Sequence, residues 1–178
     1  MRLLKMAGFL ALTLLVVTLI STFSSRQASA RLGAAALQSA PAGCETAQHR
    51  QFDFWVGDWV VYNPDGTTAG SNTIAKVLGG CALHESWKSA TGGAGNSYTF
   101  YDAARERWHQ TWIDARGGAL YLDGEWTGTA MVLTDGRNRI SWSRLEGGAV
   151  RQHWEVTADD GATWTTAFDG EYVPSRQQ

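Results

Sequence analysis

Turn signals recur through this chain at intervals too short to hold a helix between strands, and that spacing limits the fold more than any other feature. From residue 56 onward they are Asn63-Pro64-Asp65-Gly66, Gly79-Gly80, Gly92-Gly93-Ala94-Gly95, Asp102-Ala103-Ala104-Arg105, Arg116-Gly117-Gly118, Thr127-Gly128, Asp135-Gly136-Arg137-Asn138, Glu146-Gly147-Gly148 and Asp159-Asp160-Gly161. Glycine supplies positive φ, and Asp or Asn side chains close turns on their own backbone. Nine turns separate ten candidate strands, and connections this short pair consecutive strands antiparallel as a meander. A meander of this length must hide its edges. The expected fold is therefore all-β, an up-and-down antiparallel β-barrel of about ten strands, with a two-sheet sandwich as the alternative. Ten strands enclose more than the single small ligand that eight can hold. Glu45 to Phe54 lacks turn residues and is expected as a short helical lead-in capping one end.

Alternation within the strands predicts which side chains face the interior. Leu83, Glu85 and Trp87 oppose His84, Ser86 and Lys88. Trp108, Gln110, Trp112 and Asp114 oppose Arg107, His109, Thr111 and Ile113, and Val150, Gln152, Trp154 and Val156 oppose Arg151, His153 and Glu155. The other inward sets are Trp59/Val61, Tyr98/Phe100, Leu120/Leu122/Trp126, Met131/Leu133, Ile140/Trp142 and Trp164/Phe168/Tyr172, while either face of the Lys76 strand could be inward. All nine tryptophans follow residue 54. Trp55 falls in the lead-in, Trp126 near a turn and Trp164 just after the Asp159-Asp160-Gly161 turn.

Glu85, Gln110 and Gln152 are then a polar minority on an aromatic inner face. Left unpaired in the interior, each would destabilise the fold by roughly 1–3 kcal/mol, and a charge by more. One reading has them satisfied internally, with Glu85 accepting from an indole and Gln110 bridging to Gln152. The other has them orient a ligand, since pockets are mostly apolar with a few converging polar groups. On the second reading Glu85, Trp87, Trp108, Gln110, Trp112, Trp142, Gln152 and Trp154 bind a small apolar or amphipathic molecule. An enzyme is the alternative from another class: Glu85 or Asp114, desolvated among rings, could serve as a general acid or base for isomerisation, hydration or hydrolysis. No recognisable nucleophile–base pair supports it. A structural or interaction module of the envelope is the third alternative; it would need an exposed apolar patch, and the outer parities are mostly polar.

The series Phe52-Asp53-Phe54-Trp55-Val56-Gly57-Asp58-Trp59, Asn72-x-Ile74, Gly80-Cys81-Ala82-Leu83-x-Glu85-x-Trp87, Tyr101-Asp102, Trp108-x-Gln110-x-Trp112-x-Asp114 and Phe168-Asp169-Gly170-x-Tyr172 resembles an uncharacterised family of exported bacterial lipocalin-like, tryptophan-rich domains. Gly57-x-Trp59 is similar to the Gly-x-Trp signature of lipocalins and other calycins, whose tryptophan plugs the closed barrel end. The resemblance spans roughly residues 44 to 173. It implies the barrel, and small-molecule binding by analogy alone. Lipocalins carry a long helix after their strands, for which Pro174 to Gln178 leave no room. Thr157-x-Asp159-x-Gly161-x-Thr163-Trp164 is similar to an Asp-box, but one copy indicates only a hairpin closed by an aspartate and backed by a tryptophan.

Arg2 and Lys5 precede an uncharged apolar run from Met6 to Ile20, and Ala28-Ser29-Ala30 follows with a small-residue cleavage pattern, so residues 1–30 read as a signal peptide. An uncleaved anchor, and lipid attachment at Cys44, are the alternatives. Residues 31–43 read as a flexible leader, 44–173 as the barrel domain and 174–178 as a tail. The expected location is secreted or periplasmic, with no membrane span after processing. In an oxidising compartment Cys44 and Cys81 are expected to pair, closing a loop of roughly 37 residues worth about 3–4 kcal/mol; a redox or metal site is the sharper reading, and the spacing matches neither. Losing residues 1–30 removes three basic residues and no acid, leaving a net charge of about −5. That balance, without clusters of Lys or Arg, argues against nucleic acid as a partner. His84, His109 and His153 lie on outer parities and His49 precedes the barrel, so neither haem nor a metal is expected, and no cofactor is. The size suggests one domain, and a monomer is expected.

Overall fold

The computed structural model describes residues 43–175. Ten strands alternate with the turns read above: β1 (Gly57–Tyr62), β2 (Thr68–Val77), β3 (Ala82–Ser89), β4 (Ala94–Asp102), β5 (Arg107–Asp114), β6 (Ala119–Trp126), β7 (Ala130–Thr134), β8 (Asn138–Arg144), β9 (Val150–Val156) and β10 (Thr165–Pro174). Each pairs antiparallel with its neighbours in sequence, and β1 pairs with β10, from Trp59 opposite Pro174 to Tyr62 opposite Glu171. The sheet is a closed barrel. The signal-peptide and leader readings lie outside the described residues, apart from Gly43. No helix among the described residues is long and apolar enough to cross a membrane.

Asp side chains close the hairpins as their spacing implied. Asp135 Oδ1 accepts from the backbone of Arg137 and Asn138, and Asp159 Oδ1 from that of Thr163. Hydrogen bonds from the Thr163 and Thr157 hydroxyls hold the Asp159 carboxyl down at about 2. Trp164 precedes β10 and does not face the interior: its indole N–H donates to Gly161 O, and the Arg139 guanidinium lies 4.1 Å above its ring. It is the hairpin staple.

Burial follows the expected parity on β1, β3, β5, β7 and β8, where Trp59, Val61, Leu83, Glu85, Trp108, Gln110, Met131, Leu133, Ile140 and Trp142 are all buried. On β2 the interior takes Gly70, Asn72 and Ile74, and Lys76 stays exposed. β4 reverses the expectation. Ser97 and Thr99 face inward at 1% and 0% exposure, whereas Tyr98 is 52% exposed. Tyr98 packs outside against His84, and Phe100 against His109, with ring centroids 5.0 and 5.4 Å apart. Tyr98, Ile113 and Tyr121 give the outer face of β4–β6 an exposed apolar patch that the mostly polar parities did not announce.

The lead-in forms two 3-10 turns, Gln48–Arg50 and Asp53–Trp55. They drive Phe52 and Trp55 into one barrel end, where both are fully buried. Phe52 stacks on Trp55 and meets Trp108 and Trp142 edge-on, with centroids 5.8 and 5.2 Å away. The plug is tied down at several points. Cys44 is disulfide-bonded to Cys81, Lys76 Nζ lies 2.6 Å from Asp53 Oδ2, and Trp108 Nε1 donates to Gln51 Oε1. Trp59 Nε1 donates to Trp55 O, so the first strand is pinned to the plug as well.

Candidate functional site

With one end filled, free volume remains in the half of the barrel that holds the β1–β2, β3–β4, β5–β6, β7–β8 and β9–β10 turns. A cavity of about 210 Å³ lies there, walled by Trp87, Trp112, Leu120, Ile140, Trp154, Ala167 and Phe168, with Glu85, Gln110, Gln152 and Tyr172 among them. Most of the wall rings are half-buried and Ala167 is exposed, so the rim reaches solvent.

The rings lie against the wall because the facing positions are glycines. A Cβ on Gly95 would sit 2.3 Å from Trp112 Cζ2, and one on Gly70 would sit 2.7 Å from Trp87 Cη2. Neither contact leaves room for a side chain, and a residue there would push the indole into the lumen. Trp87 also meets Phe168 of β10 edge-on at 6.2 Å, joining β3 to a strand beyond β2 and β1 in the ring.

The polar groups form one connected network. Glu85 Oε1 accepts from Asn72 Nδ2 at 2.7 Å, and Oε2 accepts from the Ser97 hydroxyl at 2.6 Å. Gln110 Nε2 donates to Thr99 Oγ1 at 3.0 Å and to Ser97 Oγ at 3.3 Å. Asn72 Nδ2 reaches Tyr172 Oη at 3.3 Å, and the Tyr172 hydroxyl donates to Gln152 Oε1. Asn72 Oδ1 has no partner among the described residues. Burial raises the Glu85 carboxyl above its ordinary value against the opposing hydrogen bonds from Ser97 and Asn72. Burial, and then the charge of Glu85, push the Tyr172 hydroxyl well above the usual phenol range.

Six of the eight residues expected at a ligand site therefore line one cavity: Glu85, Trp87, Gln110, Trp112, Gln152 and Trp154. Trp108 and Trp142 do not. They share the inward parity but lie at the plugged end, buried against Phe52. Parity assigns a face, and only the packing of the lead-in decides which end is filled. Asp114, the alternative acid or base, is absent from the cavity lining: its Oδ1 accepts from the backbone N–H of Arg116 and Gly118 in the β5–β6 turn. Those bonds lower its pKa, so it is a turn anchor. Glu85 accepts from an amide and a hydroxyl instead of an indole, and Gln110 turns to β4 instead of Gln152. Asn72, Ser97, Thr99 and Tyr172 were missed as network members. Their meeting depends on the cross-strand register of the closed barrel, in which Asn72, Trp87 and Gly95 share a row, as do Ile74, Glu85, Ser97 and Trp112.

The histidines sit apart from this site. His109 Nδ1 pairs with Asp123 at 2.8 Å, His153 Nε2 with Thr166, and His84 packs on Tyr98. No group of three or more His, Cys, Asp or Glu side chains placed to hold a metal occurs among the described residues. No protein-family model and no curated protein matches the chain.

Proposed function

We propose that this protein is a lipocalin-like binder of a small apolar or amphipathic molecule, held in the tryptophan-walled cavity with its polar end toward Glu85, Gln110, Gln152 and Tyr172. The observation that carries this reading is the solvent-reaching cavity itself, in which rings and a hydrogen-bonded polar cluster converge. Its volume of about 210 Å³ lies below the usual range for drug-sized ligands and above that of a benzene-sized void, which favours an occupant of about one ring or a short chain. Export to the periplasm or medium after cleavage near Ala30 belongs to the same proposal. The Cys44–Cys81 bridge supports it, because disulfides persist in oxidising compartments.

Intrinsic fluorescence tests the reading. Single Trp→Phe substitutions at Trp87, Trp112 or Trp154 should diminish the emission change that a ligand causes, whereas those at Trp108 or Trp142 should leave it in place. If fatty acids, retinoids, haem, oligosaccharides and small aromatic amines and alcohols all leave the emission unchanged, the cavity is only a packing defect. The buried, raised-pKa carboxyl of Glu85 supports a second reading, a general acid acting on a bound ester or epoxide. Turnover that disappears in Glu85→Gln while ligand-induced fluorescence persists would favour it.

A further inference from the structure

The cavity is one-sided in its charge. Glu85 and Tyr172 are its ionisable side chains, and no lysine, arginine or histidine lines it. An anion entering there would meet a carboxyl group and the negative faces of indoles, with no cation to hold it. A cation meets the complementary surface, since a positive charge over an indole face is attracted by about 0.5–2 kcal/mol, more as water is excluded.

We infer that the ligand of this cavity is a small organic cation, a quaternary or protonated amine, stacked on Trp87, Trp112 and Trp154 with its charge toward Glu85. The inference rests on the small-molecule reading above and names the class of molecule. Asn72 and Ser97 hold both carboxyl oxygens of Glu85, at 2.7 and 2.6 Å, so the counter-charge is oriented before a ligand arrives. Without a cation, burial favours the neutral acid. A fixed positive charge reverses that preference, so below the raised pKa of Glu85 binding expels the carboxyl proton to solvent, and affinity rises with pH until Glu85 ionises unaided. The groups facing Glu85 do not blur this dependence. Asn72 of β2, Ser97 and Thr99 of β4, Gln110 of β5 and Gln152 of β9 do not titrate, and Tyr172 of β10 is held neutral by its raised pKa.

The test compares three probes of similar shape, benzyltrimethylammonium, its uncharged isostere neopentylbenzene, and 4-tert-butylbenzoate, by tryptophan fluorescence on the protein purified as produced. The ammonium probe should bind about tenfold or more tightly than the neutral one, with the carboxylate weakest and proton release accompanying the cation alone. Glu85→Gln should remove the preference for the cation, bringing the affinities of the ammonium and neutral probes to within about twofold of each other. Equal or tighter binding of the neutral or anionic probe overturns the cation assignment and keeps the small-molecule reading. Silence from all three overturns the cation assignment, and the small-molecule reading falls with it if the wider panel above is silent as well. The wild-type comparison decides the matter even if the variant fails to fold.

Discussion

Glu85 is an acid in a place that disfavours its charged form, and that makes its effect on stability readable from pH alone. Its folded pKa is raised above the ordinary value of 4.5, with burial the largest cause. The stability it contributes is therefore fully present below about pH 4.5 and is lost as pH rises through the folded pKa, with a limiting slope of about 1.4 kcal/mol per pH unit in that window. Glu85→Gln keeps a neutral, similarly shaped side chain and has no proton to lose. Urea unfolding of both proteins from about pH 4 to pH 8 should show the wild type falling relative to the variant as pH rises. A constant difference across that range would mean that Glu85 has the same pKa in the folded and the unfolded chain, and that its burial does not raise it. Asp114 carries the opposite lesson: the same carboxylate chemistry, placed among turn amides, has its pKa lowered and serves the backbone.

Among the elements, β4 is the one whose face is set by its neighbours. Alternation alone favours turning Tyr98 and Phe100 inward, yet Glu85 on β3 and Gln110 on β5 flank this strand, and the hydroxyls of Ser97 and Thr99 satisfy them. The same parity turns Gly95 inward beneath Trp112. Gly95→Ala would place a methyl group 2.3 Å from the indole and 2.9 Å from Ile113 O, so we expect a loss of about 1–3 kcal/mol and a cavity narrowed by the displaced ring. Gly93→Ala, whose added carbon meets nothing closer than 3.6 Å, should change stability by less than about 0.5 kcal/mol. Thermal or urea unfolding of the pair, with probe fluorescence alongside, checks both statements. Comparable behaviour of the two variants would remove the close approach as the reason for the glycine.

At the scale of the molecule, a barrel closed by pairing β1 with β10 still has two open ends, and the lead-in fills one of them. The disulfide anchors that plug across 37 residues of chain, and breaking it should lower unfolding stability by about 3–4 kcal/mol in the chain-entropy account. Because the cavity occupies the opposite half, Cys44→Ser with Cys81→Ser should lower the urea midpoint while keeping the fluorescence response to any ligand. Loss of that response in a protein that still folds would mean that plug and cavity are one coupled unit. Turn chemistry and strand alternation are local properties, so the ten strands, their antiparallel order, the cysteine pair and the inward placement of Glu85, Gln110 and Trp112 were legible in the amino-acid sequence. The filled end was not legible, because Trp108 and Trp112 have the same parity and differ only in whether Phe52 reaches them. Nor was the polar network. Asn72 meets Tyr172 across 100 residues, and Glu85 meets Ser97 across 12. Desolvated polar groups bind whichever partner closure brings within about 3 Å, and no local rule carries that information. The sequence by itself determined which side chains a barrel would turn inward; the tertiary structure decided which of them pack a plug and which enclose a cavity.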